Sequence, residues 1–163
     1  NADVQADLET QDSPHAILAF LTITHANLSE PIRIVSDVLD YVVDGETYIG
    51  APFSYTLPTD DDQGPTATLT VQNVDRRIGN AVRETTERAM VQIVIRSTRD
   101  FDLTAIPRTE ISTSEIYSFA YFEMISVTVD ASQVQAEIMV RDYTAEPWPK
   151  DRATKKRCPG VFK

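Results

Sequence analysis

From Thr66 to Gln72 every second residue is apolar: Ala67, Leu69 and Val71 alternate with Thr66, Thr68, Thr70 and Gln72. The same period returns at Val91, Ile93 and Ile95. It appears again at Val134, Ala136, Ile138 and Val140, whose polar neighbours are Gln133, Gln135, Glu137 and Arg141. A period of two places the apolar side chains on one face of a strand, whereas a helix would scatter them around its axis. Three such segments commit the chain to a sheet with a buried face.

The other segments read the same way from weaker signals. Ala16 to Ile23 is apolar, and its β-branched Ile17, Thr22 and Ile23 favour a strand over a buried helix. Pro31 can open a strand, and Asp44-Gly45 is a hairpin turn because both residues tolerate positive φ. Pro52 implies an edge or a bulge in the returning segment. Asn73 or Asp75 can cap a short helix whose Ile78, Ala81 and Val82 share a face, weakened by Gly79 and ending near Thr86. Residues 97 to 112 are mixed and are expected to loop over the surface. Tyr117 to Val129 is an aromatic-rich strand, and Asp130 to Gln133 turns it into the last one.

Six or seven strands and one short α-helix predict a mainly β fold, a β-sandwich or an open β-barrel. A length of 163 residues suits a single core. The expected organisation is an N-terminal arm at 1–14, a β-rich domain at 15–143 and a basic C-terminal arm at 144–163. Sheets of this kind leave edges that must be covered or paired with another chain, which points to assembly.

Charge is unevenly placed. The net charge is −10, yet all four lysines, Lys150, Lys155, Lys156 and Lys163, lie in the last fourteen residues together with Arg152 and Arg157. That segment has six basic residues against Asp151, while the preceding 149 residues have nine against 24 acidic. An acidic body disfavours nucleic acid. The basic tail therefore suits the acidic surface of a neighbouring copy, unless it is simply a solvated terminus. Trp148, between Pro147 and Pro149, is a large ring on a stiff peptide and can fill a pocket on its own body or on a partner.

The ordered set LSEPIRIVSD (Leu28 to Asp37), GETYIGAPFSYTLP (Gly45 to Pro58), PTATLTVQNVDRRI (Pro65 to Ile78) and CPGVF (Cys158 to Phe162) resembles a family of small minor tail proteins of long-tailed bacteriophages. The resemblance covers nearly the whole chain after about residue 14. It implies a tail-tip component joining the last ring of the tail tube to the receptor-binding hub. The implied partners are copies of itself in a ring of three- or six-fold symmetry and neighbouring tail proteins. The implied location is the virion, after synthesis in the host bacterial cytoplasm. Some tail-tip proteins carry a cysteine-ligated iron–sulfur cluster, but Cys158 is the only cysteine here, so no cofactor is carried over.

Chemistry finds little purchase. His15 and His25 are ten residues apart, roughly 33 Å along a strand, too far to share a metal. Asp60, Asp61 and Asp62 lack the alternating spacing and distal Glu of a calcium loop. They read as a solvated loop, or as the surface that meets the basic tail of another copy. No Gly-x-Ser-x-Gly elbow and no glycine-rich phosphate loop occurs, so no enzyme is expected. The rival readings are a monomeric carbohydrate- or receptor-binding β-sandwich, with Tyr117, Phe119, Tyr121 and Phe122 as its platform, and a virion-associated cell-wall hydrolase. Alternation would set Tyr117, Phe119 and Tyr121 on one face and Phe122 and Met124 on the other. No apolar run is long enough to span a bilayer, and no basic leader precedes Ala16 to Ile23, so a soluble, unexported protein is expected.

Overall fold

The computed structural model describes residues 13–56, 66–72, 88–130 and 132–140. The fold is mainly β. Its strands are β1 Ile17–Thr24, β2 Ile32–Val35, β3 Tyr41–Val43, β4 Glu46–Gly50, β5 Phe53–Tyr55 and β6 Thr66–Gln72. They continue as β7 Met90–Ser97, β8 Phe101–Asp102, β9 Arg108–Glu110, β10 Tyr117–Val129 and β11 Gln133–Val140. The expected helix between 73 and 87 lies outside the described residues, as do residues 1–12 and 141–163, which hold most of the N-terminal arm and all of the basic one.

All eleven strands join one open sheet in the order β5-β6-β11-β10-β7-β1-β2-β4-β3-β9-β8. Neighbours are antiparallel except β2 with β4 and β3 with β9. Chain connectivity forces this sheet to roll. β4 stands eighth from β5, about 34 Å away in a flat sheet. Yet only Ala51 and Pro52 separate Gly50 from Phe53, a reach of at most about 11 Å. The first eight strands in that order therefore curl into an open barrel, with a covalent link across its seam.

The barrel interior holds one aliphatic cluster. Ala19, Leu21 and Ile23 of β1 meet Val91 and Ile93 of β7, Leu69 and Val71 of β6, and Val134, Ala136 and Ile138 of β11. These are the alternating residues of the sequence. β1 is also buried on its other face, where Leu18 and Phe20 join Val35, Tyr41, Val43 and Phe101. The small sheet of β3, β4, β9 and β8 folds over that outer face.

Among the described residues there are eleven strands where six or seven were expected, for local reasons. Ser36 interrupts the segment after Pro31: its amide donates to Ala19 O and its hydroxyl accepts from the Ala19 amide, both at 2.9 Å. Pro52 splits the next segment, and its two halves reach opposite parts of the sheet. The span 97–112 is not a plain surface loop. It forms a 3-10 turn at Thr98–Asp100 and then β8 and β9, and Phe101 is buried. At the Asp44-Gly45 turn, φ is 52° and 79°, as a tight hairpin needs, and Val43 lies opposite Glu46.

The alternation expected in β10 fails. Its register against β7 shifts between Phe119 and Phe122, and against β11 between Ile125 and Thr128. Each bulge adds a residue and flips the phase. Phe119, Phe122, Met124, Val127 and Val129 consequently all face the inner cluster, so Phe119 and Phe122 are not on opposite faces.

Candidate assembly surface

The outer sheet is held by aromatic packing first. Phe20 stacks against Phe101 at 5.5 Å and meets the edges of Tyr41 and Tyr48 at 5.7 and 5.3 Å. Tyr41 also stands edge-on to Phe101 at 4.9 Å. Such offset and edge-to-face pairs suit the ring quadrupole. Tyr48 caps the arrangement through a 3.1 Å hydrogen bond with Thr22 on β1.

Two ionic networks pin the rest. The buried Tyr41 donates to Asp37 Oδ2 at 2.6 Å, and Arg108 donates to the Tyr41 oxygen at 2.5 Å while lying within 3.4 Å of Asp37. Burial, and then the Asp37 carboxylate, push the Tyr41 phenol up to about 12. At the other end of β9, buried Arg96 donates to Glu110, whose second oxygen accepts from the Asp44 amide at 3.1 Å. Burial alone would raise Glu110, but the hydrogen bonds from Arg96 and Asp44 outweigh it and its pKa falls. Asp100, also buried, is shifted up by desolvation against the pull of Arg96 and Arg99.

The strand directions bring exposed apolar residues to one end of this sheet. β3 and β9 run parallel with Tyr41 opposite Arg108, so Val38 and Ile106, three and two residues ahead of these partners, lie at the same end of the sheet. Leu103 follows β8 at the same end, and Ile49 precedes the last residue of β4 there. Val38 is 81% exposed and Ile106 84%, while Leu103 and Ile49 are about half exposed.

This end is rigid. Arg108 donates its amide to Asp40 O at 2.9 Å, and the Gly50 amide donates to Asp40 Oδ1 at 2.8 Å. Gly50 is required here because a Cβ would lie 2.6 Å from the Val38 carbonyl carbon. Asp102 Oδ1 accepts from both the amide and the hydroxyl of Thr104, at 2.9 and 2.6 Å, which shapes the turn and lowers the Asp102 pKa. Asp37 is neutralised by Arg108, leaving Asp40 and Asp102 as an acidic rim.

The residues nominated from the sequence, Asp60, Asp61, Asp62, Trp148, Lys150, Arg152, Lys155, Lys156 and Arg157, lie outside the described residues. Sequence reasoning missed Val38, Leu103 and Ile106. Nothing local marked them: Val38 stands beside Leu39, and Leu103 and Ile106 lie in a mixed span between Asp102 and Arg108. The strand edges expected to supply main-chain bonds are short, three residues in β5 and two in β8. The aromatic platform shrinks: Tyr117 is 59% exposed and stacks on Phe119 at 6.1 Å, but Phe122 is buried. His15 and His25 flank opposite ends of β1, and His25 accepts from the Asn27 amide. Among the described residues no three His, Cys, Asp or Glu side chains gather as a metal site would need, and no helix is long and apolar enough to cross a membrane.

A family model described as "Domain of unknown function (DUF1833)" matches residues 3–152. No curated protein matches the chain.

Proposed function

We propose that this chain, which belongs to the DUF1833 family of domains of unknown function, is a structural component of a bacteriophage tail tip. It would join the tail tube to the receptor-binding hub as one copy in a closed ring, located in the virion and made in the host cytoplasm. The observation that carries the reading is the end of the outer sheet, where Val38 and Ile106 are four-fifths exposed on a backbone held by Arg108, Asp40 and Asp102. Apolar side chains on a pre-ordered frame cost little further entropy on binding, so the surface suits a partner. Its work is binding, and no reaction is assigned to it. The bacteriophage setting comes from the sequence resemblance.

A second reading, a monomeric glycan- or receptor-binding module, rests on the exposed Tyr117 ring alone. The deciding experiment is electron microscopy of purified particles with gold-labelled antibody to this chain. Several labels clustered at one end of the tail are expected. Intact particles without label would overturn the proposal.

A further inference from the structure

Resting on the ring reading, we infer that the apolar end of the outer sheet is the receptor for the C-terminal segment of a neighbouring copy, with Trp148 packing against Val38 and Ile106 and the following basic run meeting Asp40 and Asp102. Charge decides the occupant. Two copies of this end facing each other would oppose acid to acid, which disfavours a patch-to-patch dimer. Anionic lipid and nucleic acid meet the same repulsion. A basic peptide with an apolar anchor fits, and every lysine of the chain lies at 150–163, directly after Pro147-Trp148-Pro149. The one arginine beside the patch, Arg108, is engaged by Asp37 and Tyr41. An aromatic ring fitted to a rigid apolar surface and rimmed by charge is a usual interface anchor. A tail-to-patch contact is heterologous, and such contacts close into rings when the rotation allows.

Two variants of the full-length chain test this by light scattering. One carries V38D and I106D in the patch; the other carries W148A, K155E and K156E in the tail. Since Val38 and Ile106 are exposed, both should melt like wild type, and V38S with I106S serves as a milder patch variant. Wild type is expected to assemble at low salt and dissociate towards 1 M salt, where the screening length is about 3 Å. Each variant alone should remain monomeric, and their equal mixture should give a heterodimer, because one intact contact remains. D40N with D102N keeps the hydrogen-bond acceptors and removes the charge, so affinity should fall at least several-fold and lose salt dependence. If both variants assemble like wild type, or the mixture stays monomeric while wild type assembles, this contact is wrong and the ring reading survives. If wild type itself is monomeric throughout, the ring reading falls with it.

Discussion

Inside the barrel the packing is mainly aliphatic: Leu21, Ile23, Leu69, Val71, Val91, Val134, Ala136 and Ile138 are nearly inaccessible. Over the outer face of β1 the packing is aromatic, and it is bordered by Arg96, Glu110, Asp37, Tyr41 and Arg108. The two layers share β1, whose odd residues face inward and whose even residues face outward. The difference teaches a division of labour. The inner layer gains its stability from buried apolar area. The outer layer depends on hydrogen-bond geometry and ionisation, and it is the layer that presents the exposed apolar end. Rigidity there is bought with charges.

The largest effect should come from the residue on which the outer layer is built. Phe20→Ala should cost about 4 kcal/mol, since a buried ring touching three others leaves a cavity. Denaturant unfolding checks it, and a loss below about 1 kcal/mol would mean that the aromatic layer is not packed as described.

Arg96→Met should cost about 3 kcal/mol at neutral pH, because Glu110 loses its cation and the buried Asp100 loses one of two nearby positive charges. Glu110 has its pKa lowered in the folded chain, so its contribution is present above about pH 4.3 and fades as acid protonates it. The penalty should therefore shrink in acid, and adding Glu110→Gln should recover part of it in a double-mutant cycle. A penalty independent of pH would separate Arg96 from Glu110.

Replacing both Asp44 and Gly45 with valine should cost about 2 kcal/mol, since both positions require positive φ. Soluble yield and melting temperature report it. An unchanged melting temperature would contradict the hairpin that carries Glu110's second contact.

The smallest effect concerns Tyr41. Its phenol is held neutral up to about pH 12, while in the unfolded chain it ionises near 10. The unfolded state thus releases its proton first, and stability falls as pH rises through that window. Tyr41→Phe should cost about 1 kcal/mol at pH 7 and flatten the decline between pH 10 and 12. An identical alkaline decline in the variant would show that Tyr41 is not the group responsible.

Much of the inner layer was legible in the sequence. β6 and β11 alternate between a buried and a more exposed face, whereas β7 alternates from Met90 to Ile93 and then buries Ile95, Arg96 and Ser97 in succession. The outer layer was not. β8 and β9 are two and three residues long, too short to display a period, and Phe101 is buried only because the chain folds back over Phe20. In β10 two bulges reverse the phase, so Phe119 and Phe122 looked opposed and are not. Pro52 announced a break, but nothing local told that the two sides of it join distant strands. The exposed Val38 and Ile106 were hidden among ordinary loop residues, since exposure is a property of the neighbours and not of the side chain.

Sedimentation equilibrium of the full-length chain, from low to high micromolar concentration and at two ionic strengths, addresses the central claim directly. The account predicts a discrete closed oligomer of a whole number of copies that yields to monomer in high salt. A monomer at every concentration, or a mass that keeps growing without closing, would contradict it.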